Sequence, residues 1–406
     1  MKKYLKKTIF PIKYKTLLNL YLAQSIPMTF FATVLPVIMR ENGFSLTSIG
    51  LLQLIKLPWL LKFLWAPLVD TSNSNINKYK KWIFSSELFY AIIIISVAFL
   101  NIQTDFKLIV ILLLLAFTAS ATQDIATDAF SYLVLKKEER SIGSSIQTIG
   151  NFLGAVIGSG LLLIIYYYFG WKLLIISLAG FVLIALFPLI LFKPNNKQSN
   201  KQIPKISFKD IYKFFTQRRI SFRVLLLILL FWGIIGILSM LKPWMVDLGY
   251  NIKQIGIYSG IYGPLSGVIF AYLTGKMMQN ASKLIVLKLI LSLSIGVALY
   301  FYFISKATPE YWILQIGILA VWGIYSMLTV FVYSFLMEQI RQGREGTDFT
   351  LQIVLAHIGS LVIAVASGKF THQFGYSGLF LLESIISIIL LIILPYLYKK
   401  SIRYEI

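Results

Sequence analysis

The chain has 406 residues, of which 58% are hydrophobic and only 13% are charged. Soluble proteins of this length are far less apolar, so the composition excludes an ordinary water-soluble domain. The absence of cysteine excludes disulfides and thiolate metal sites, and two histidines argue against a catalytic metal centre. In a soluble chain, a formal net charge of +22 would indicate a protein that binds nucleic acid. Here the basic residues cluster between apolar runs, so we expect membrane topology to explain them, with no nucleic-acid partner and no cofactor.

Apolar runs of roughly 20 residues recur along the whole chain, and each can cross a hydrocarbon core of about 30 Å as a helix. The opening "MKKYLKKTIFPIKYK" resembles the start of a signal peptide, but the apolar run after it is too long for one. The sequence therefore predicts an all-α integral membrane protein with an uncleaved first span. The twelve predicted spans are 17–39, 47–69, 82–100, 108–132, 142–168, 172–192, 222–246, 252–275, 283–304, 311–336, 348–370 and 376–398.

Basic residues are concentrated in every second loop and in both tails, whereas the alternate loops hold about one each. Short loops rich in Lys and Arg stay on the cytoplasmic side, so both termini are predicted to be cytoplasmic. The longest polar stretch separates the sixth and seventh spans, with a short amphipathic part near Ile206–Phe215. The predicted units are a tail at 1–16, a six-helix bundle at 17–192, a cytoplasmic linker at 193–221, a second six-helix bundle at 222–398 and a tail at 399–406.

The two halves resemble each other. "LPVIMRENGFSLTSIGLLQLI" (35–55) matches "KPWMVDLGYNIKQIGIYSGI" (242–261), since both run from a proline through a Gly-aromatic turn to an "IG" that opens the next span. A second match joins 139–160 to 344–368. Two parallel six-span repeats joined by a cytoplasmic linker resemble the major facilitator superfamily, whose halves enclose a midplane cavity and rock about it.

The fourth span ends in "SATQDIATDAF" (120–130), which carries Asp124 and Asp128. Residues four apart share one helix face, roughly 6 Å from each other. Asp124 lies at a depth where an ionisable side chain faces a cavity or a partner, so it serves in proton coupling or in a structural ion pair. Asp128 lies nearer the interface, where water can solvate it.

Two lysines lie inside the second span, which is unusual at that depth. Lys62 and Asp124 are predicted at the same depth on neighbouring helices, so we expect them to form an ion pair. Lys56 lies near the midplane, where it either contacts an anionic substrate or joins an internal ion pair.

His357 lies near the middle of the eleventh span, as a neutral hydrogen-bonded side chain or as a proton relay. Glu87 and Glu383 are the other acids at membrane depth, but outer spans are not expected to line a cavity. Several polar and aromatic residues are candidate cavity liners, although each can instead be an interface or core residue. They are Gln24, Pro27, Thr29, Trp232, Trp322 and Tyr325.

Asp70 opens the basic loop after the second span. With Arg140 it is assigned to a gate between the halves, and the alternative for Asp70 is a solvated loop acid. The fifth span carries Gly150, Gly154 and Gly158 at four-residue intervals, a spacing that permits close helix packing. The expected partner of this stripe is the eighth span at Gly263, Pro264 and Gly267.

The segments "KLPWLLKFLWAPLVD" and "ATQDIATDAFSYLVLKKEERSIGSSIQTIGNFLG" resemble the AmpG-type branch, which holds muropeptide permeases, acetyl-coenzyme A transporters and siderophore permeases of the rhizobactin/pyochelin type. Ser25 stands where the branch usually has glycine. The resemblance implies import of a small molecule driven by protons, in a monomer of the bacterial cytoplasmic membrane. "REGTDFTLQ" (344–352) is most similar to the siderophore permeases, which favours a siderophore over the alternative, a muropeptide.

A membrane-embedded transferase is the rival class, because two acids four residues apart also occur in metal-dependent prenyl and phosphatidyl transferases. Those enzymes need further acids, and "QDIATDAF" is not followed by any such cluster. The sequence therefore predicts a transporter and not an enzyme.

Overall fold

The computed structural model of the protein describes residues 11–44, 53–70, 75–193 and 207–402. Within these ranges every regular element is helical and no strand occurs, which confirms the all-α prediction. The predicted N-terminal tail, the start of the second span and most of the linker lie outside the described residues. In the described part of the chain, six helical stretches are long and apolar enough to cross a membrane: Phe106–Val134, Lys137–Leu191, Lys253–Asn280, Lys283–Ile304, Tyr311–Glu338 and Glu345–Ser401.

The first half of the chain begins with two helices that run on through a π-helical turn, Phe30–Val34. Pro27 lies inside the first of them and lacks the N–H that the helical ladder uses, so the backbone there is already weakened. A second π-helical turn comprises Ile157–Leu161. The helices of this half are α1 (Ile12–Thr29), α2 (Leu35–Glu41), α3 (Leu57–Leu61), α4 (Ala66–Val69), α5 (Ile76–Val97), α6 (Phe106–Val134), α7 (Arg140–Val156), α8 (Leu162–Ala185) and α9 (Phe187–Leu191).

The second half opens with a short helix in the linker region. Helix starts are marked by side chains that accept backbone N–H groups, as Asn251 does from Gln254 and Ser282 from Ile285. The helices are α10 (Lys209–Phe215), α11 (Ile220–Leu229), α12 (Ile235–Asp247), α13 (Ile252–Ile257), α14 (Gly263–Asn280), α15 (Lys283–Ile304), α16 (Tyr311–Glu338) and α17 (Glu345–Ser401).

Two glycines reverse the chain direction inside the longest helical stretches. Gly170 has a φ of 73° and Gly375 a φ of 70°, a conformation that side chains with a Cβ rarely adopt. They lie between the fifth and sixth predicted spans and between the eleventh and twelfth. The two halves therefore turn at equivalent places, and α17 consists of two legs, 345–374 and 376–401.

The glycine stripe of α7 packs against α1, so the prediction that it packs against the eighth span was wrong. A Cβ on Gly150, Gly154 or Gly158 would lie within 3 Å of the backbone of α1. The helix that carries Gly263 and Gly267 instead receives bulky rings, Trp322 on the first glycine and Phe152 on the second. Spacing identified a close-packing surface, but it carries no information on which neighbour approaches it.

The seventh predicted span, 222–246, is broken in the structure. Helix α11 ends at Leu229 and α12 begins at Ile235. Between them Gly233 has a φ of 86° and Ile234 has non-helical angles. Hydropathy averaged over a window does not register such a break, because the residues on both sides of it are apolar.

The halves meet along α7, which packs against α14 and α16, and along α6, which packs against α17. On the outer surface many large apolar side chains are exposed, for example Ile92, Ile111, Val365 and Ile392. Such a surface is unfavourable in water and suits lipid. The helices therefore enclose polar side chains between two apolar bundles.

Candidate functional site

A cavity of about 340 Å³ lies between the two halves. Its polar walls come from the first half, and the second half contributes Tyr333 of α16 with Ile353 and His357 of α17. The lining residues are Gln24, Ser25, Met28, Lys56, Trp59, Leu60, Lys62, Asp124, Asp128, Gln147, Asn151, Tyr333, Ile353 and His357. All four residues assigned to proton coupling or ion pairing, Lys62, Asp124, Asp128 and His357, are on this list.

The Lys62 ammonium contacts the Asp124 carboxylate at the wall of the cavity. Lys62 is 2% exposed and Asp124 is 5% exposed, so the pair is buried. The ammonium also lies 4.9 Å from the centre of the Trp59 ring, an attractive arrangement for a cation. The ion pair predicted from matching depth is thus present in the structure, between the turn after α3 and the middle of α6.

Asp128 is not a solvated interface residue, so the sequence-based expectation for it was wrong. Its side chain is 2% exposed. The carboxylate accepts a hydrogen bond of 3.0 Å from the Tyr21 hydroxyl and one of 3.3 Å from the Gln147 amide. The reason is helical geometry: one turn after Asp124, Asp128 faces the same packed interior, where α1 and α7 close over it.

Of the predicted cavity liners, Gln24 and Lys56 line the main cavity, and Gln24 donates a hydrogen bond of 2.8 Å to Gln123. The remaining candidates lie elsewhere. Pro27 borders a small pocket beside Glu87, and Thr29 lies against Gly158. In the second half Trp232 donates a hydrogen bond to the Gly359 carbonyl, Trp322 packs on Phe152 and Gly263, and Tyr325 lines a second cavity.

This second cavity has a volume of about 360 Å³ and lies within the second half. It adjoins the first, because Tyr333, Ile353 and His357 line both. Its other lining residues are largely apolar or aromatic: Phe231, Ile235, Tyr325, Thr329, Val332, Ser360, Leu361 and Ala364. Together the two cavities have a charged and polar end and an aromatic end, with the His357 imidazole between them.

Sequence reasoning missed Gln147 and Asn151 of α7. Both are polar residues in an apolar span and lie four positions apart, so the sequence held the signal that identified Asp124 and Asp128. Trp59 and Tyr333 carried no comparable signal, because aromatic residues are common in membrane helices.

The two halves are joined at one end by Asp70, which is 3% exposed. Its carboxylate accepts hydrogen bonds from the backbone amides of Gly346 and Thr347 at 2.8 and 2.7 Å. The Thr347 hydroxyl donates another at 2.6 Å and the Tyr79 hydroxyl a fourth at 2.7 Å. Asp70 lies just outside the second predicted span, where burial raises its pKa to about 6 against the opposing effect of these hydrogen bonds. It is therefore a buried contact between the halves and not a solvated loop acid.

Arg140 lies at the same end. Its guanidinium donates a hydrogen bond of 2.9 Å to the Met337 carbonyl of the other half and stacks 4.4 Å from the Tyr132 ring centre. Ser145 of α7 donates to the Ala271 carbonyl across the same interface. The end of the molecule that carries Asp70 and Arg140 is thus closed between the halves.

The linker helix α10 is attached to this closed end. Asp210, 2% exposed, forms an ion pair of 2.8 Å with Arg344. Arg341 binds the Asp348 carboxylate through two nitrogens and donates a further hydrogen bond to the Asp210 carbonyl. Phe214 of α10 is fully buried, whereas Phe208 and Phe215 are exposed, so only part of the predicted amphipathic segment is covered.

Comparison with known proteins supports this architecture. A family model described as Major Facilitator Superfamily matches residues 17–355. The anhydromuropeptide permease of Escherichia coli (strain K12) is 23% identical over 381 residues, covering 90% of this chain and 75% of that protein. A Rickettsia conorii transporter named AmpG 4 is also 23% identical, and the alignment covers 93% of this chain and 95% of that protein. These names do not support the siderophore preference drawn from the sequence.

Two solved structures share the fold. A bacterial homologue of the iron transporter ferroportin in an outward-facing state aligns with a TM-score of 0.73 at 16% identity, covering 96% of this chain and all of that one. The transporter FucP in the outward conformation aligns with a TM-score of 0.70 at 14% identity over 96% and 99% of the two chains. The family match covers most of the chain, and the fold and the cavity between the two halves agree with it. The chain therefore belongs to the Major Facilitator Superfamily of transporters, and the relatives reported above are AmpG-type permeases.

Proposed function

We propose that this chain is a proton-coupled importer that carries an anionic sugar–peptide of the anhydromuropeptide kind by alternating access. The observation that carries the proposal is the Lys62–Asp124 pair, which lines a cavity enclosed by both halves. The same cavity is separated from one end of the molecule by the contacts of Asp70 and Arg140. A charged cavity closed at one end is what a carrier needs in one of its two states.

The proposal includes twelve membrane crossings. Eight of them lie near separate helical stretches, and the turns at Gly170 and Gly375 divide two further stretches into legs that lie near the fifth and sixth and the eleventh and twelfth predicted spans. The closed end carries the basic loop residues Lys136, Lys137 and Arg341, which favours a cytoplasmic location for it and for both termini. We place the protein, as a monomer, in the bacterial inner membrane.

The polarity of the joined cavities supports the substrate class. Lys56 and Lys62 at the polar end suit the carboxylates of a peptide, and Gln147 and Asn151 suit its amides. Phe231 and Tyr325 at the other end offer ring faces on which a sugar can pack. An anhydromuropeptide has both parts, and a relative that covers 90% of this chain is named for transporting one.

Coupling follows from competition for Lys62. While Asp124 is ionised, it neutralises the ammonium and keeps it from other anions. A proton on Asp124 removes that negative charge, and the ammonium then pairs with a substrate carboxylate, because a buried charge without a partner is costly. Each carboxylate taken up at Lys62 thus requires one proton on Asp124.

The siderophore preference drawn from the sequence is not supported by the relatives, and the structure suggests another role for the segment behind it. The segment on which it was based, "REGTDFTLQ", contributes Gly346 and Thr347 to the contact with Asp70, and Asp348 to the pair with Arg341. These residues hold the closed end, and none of them lines either cavity. A resemblance in this segment therefore concerns gating more than substrate.

The test is uptake of a radiolabelled anhydromuropeptide into liposomes that contain the purified chain, with the outside made acidic. We expect accumulation that a protonophore abolishes, and none in protein-free liposomes. Accumulation that survives the protonophore would remove proton coupling. Accumulation of a ferric siderophore under the same gradient, with no anhydromuropeptide uptake, would remove the substrate assignment.

A further inference from the structure

The break between α11 and α12 brings backbone polar groups to an interior position of the second half. Gly233 has a φ of 86° and Ile234 leaves the helical region, so the hydrogen-bond ladder is interrupted there. In membrane carriers, interrupted helices of this kind supply carbonyl oxygens and helix ends to bound ions. The break alone does not make a site, and its surroundings decide what it can bind.

Glu383, on the second leg of α17, is aimed at this break. Its side chain is fully buried, and neither carboxyl oxygen has a hydrogen bond of normal geometry to the described residues around it. One oxygen lies so close to Gly236 that a Cβ there would be 1.7 Å away. The carboxyl group therefore occupies the space that a side chain on α12 would need.

Further oxygen atoms surround the carboxyl group. The Ser367 hydroxyl lies 2.6 Å from the same Cβ position, and it donates its own proton to the Ile363 carbonyl, which leaves its lone pairs available. The Ser387 hydroxyl donates a hydrogen bond of 3.4 Å to the Gly233 carbonyl oxygen, so these two oxygens are held next to each other. Carboxylate, hydroxyl and carbonyl oxygens are the ligands that hard cations prefer.

Among the described residues, no positive charge acts on this carboxyl group. The groups that act on Glu383 are the Gly233 backbone and the Ser367 hydroxyl, and no titratable side chain among the described residues of α11, α12, α15 or either leg of α17 faces it. An ionised carboxylate buried without a partner is very unfavourable. A cation bound at Glu383 would therefore remove the cost of burying its charge.

We propose that Glu383, Ser367, Ser387 and the Gly233 carbonyl form a monovalent-cation site, occupied by a proton or by Na⁺. The site is separate from the Lys62–Asp124 pair and lies in the other half. Phe231 and Ile235, on the two sides of the break, line the second cavity, so a cation that changes the geometry of the break also changes the wall facing the substrate. This link to transport rests on the proposed function, whereas the cation site itself does not.

The experiment measures thermal unfolding of the purified chain in nanodiscs without substrate, so its outcome is independent of whether transport is found. The variants are Glu383→Gln and a matched control, Glu87→Gln, which alters a buried acid of α5 in the first half. Melting temperatures are compared in NaCl and in choline chloride at constant ionic strength, and from pH 5 to pH 9.

If the cation is Na⁺, we expect the melting temperature to rise with Na⁺ at fixed pH in the wild type and in Glu87→Gln but not in Glu383→Gln. If it is a proton, the difference between wild type and Glu383→Gln shrinks on acidification and does not respond to Na⁺, because glutamine imitates the protonated acid. The proposal is overturned if the difference in melting temperature between wild type and Glu383→Gln changes neither with Na⁺ nor with pH.

A second variant covers the case in which Glu383→Gln does not fold. Ser367→Ala keeps the acid and removes one oxygen ligand, and we expect it to weaken Na⁺ binding about tenfold or to shift the midpoint of the pH response. An unchanged Na⁺ and pH response in this variant also overturns the site.

Discussion

At the scale of single residues, three ionisable side chains of the main cavity have partners within the protein. Lys62 pairs with Asp124, and Asp128 accepts hydrogen bonds from Tyr21 and Gln147. Burial of each charge alone would be unfavourable, so the residues stabilise the fold only as a set. This arrangement makes the pair a structural element and, under the proposed mechanism, a coupling element as well.

The first prediction concerns that pair. Lys62→Met or Asp124→Asn alone should lower the free energy of unfolding by ~3–5 kcal/mol, because each leaves the other charge buried without its partner. The double variant should lose much less than the sum. Chemical denaturation of the four proteins in detergent gives the interaction free energy, and strictly additive losses would contradict a coupled pair.

The second prediction concerns Lys56, whose ammonium lines the cavity without being assigned to coupling. Lys56→Gln should raise the KM for anhydromuropeptide about tenfold, as expected for removing one charge that meets a substrate carboxylate. Lys172→Gln, the same change at a lysine beside Phe99 outside the cavity, is the matched control and should leave KM unchanged. Equal KM values for both variants would assign Lys56 to structure.

Residue roles could be predicted from the sequence where depth alone decides them. Lys62 and Asp124 lie at equal depths in adjacent spans, and that sufficed to pair them. Asp128 could not be predicted, because its burial depends on Tyr21 and Gln147, which approach from α1 and α7. Nothing in a single sequence gives the rotation of one membrane helix against another.

At the scale of helices, contact between α7 and α1 depends on the absence of side chains along one stripe. A Cβ on Gly154 would lie 2.8 Å from the Leu22 carbonyl oxygen and 2.7 Å from the Ser25 Cβ. Because the Leu22 oxygen is backbone, α1 would have to move as a whole to relieve the overlap.

The third prediction follows from this contact. Gly154→Ala should lower the free energy of unfolding by ~1–3 kcal/mol through overpacking. The control is Gly180→Ala in α8, where a Cβ meets nothing within 4 Å, and it should be neutral or slightly stabilising, as alanine favours helices. The melting temperatures of Gly154→Ala and Gly180→Ala are compared by thermal unfolding. Similar values would mean that α1 moves away from the added methyl group at little cost in free energy.

The helices themselves could be predicted, but their interruptions could not. The π-helical turns after Thr29 and Val156 and the break at Gly233 all lie in apolar stretches, where hydropathy is uniform. Glycine and proline were visible at these places, but both residues are common in intact membrane helices. The proposed cation site lies at one of these interruptions, so the sequence did not indicate it.

At the scale of the whole molecule, internal repetition and loop charge predicted two six-helix halves; the family match confirms the superfamily, and the solved structures share the fold. The sequence did not reveal which end is closed, since that depends on contacts between residues of different halves. Asp70 is one such residue, and its partners Gly346 and Thr347 are far away in the chain.

The fourth prediction tests this closure. The chain has no native cysteine, so Ser141→Cys, between the halves near Ser334, is a unique label. In that background Asp70→Ala should raise the rate of labelling by a hydrophilic maleimide several-fold, because four hydrogen-bond donors lose their common acceptor. Asp105→Ala, an acid before α6, is the control, and equal rates in all three proteins would mean that Asp70 does not hold the halves together.

Closure of this end also takes up protons, so its free energy depends on the pH of the solution that this end faces. An exposed aspartate ionises near pH 3.9, whereas closure raises the pKa of Asp70 to about 6. The closed state therefore binds more protons, gains stability as pH falls and loses that gain as pH rises through 6; near pH 7 closure takes up about a tenth of a proton. Under the proposed orientation and proton coupling, an acidified cytoplasm should favour the closed state and so limit further proton entry. The labelling rate of Ser141→Cys, divided by that of the exposed Lys209→Cys, should be lower at pH 5.5 than at pH 7.5. An equal ratio at the two pH values would exclude this effect of pH on closure.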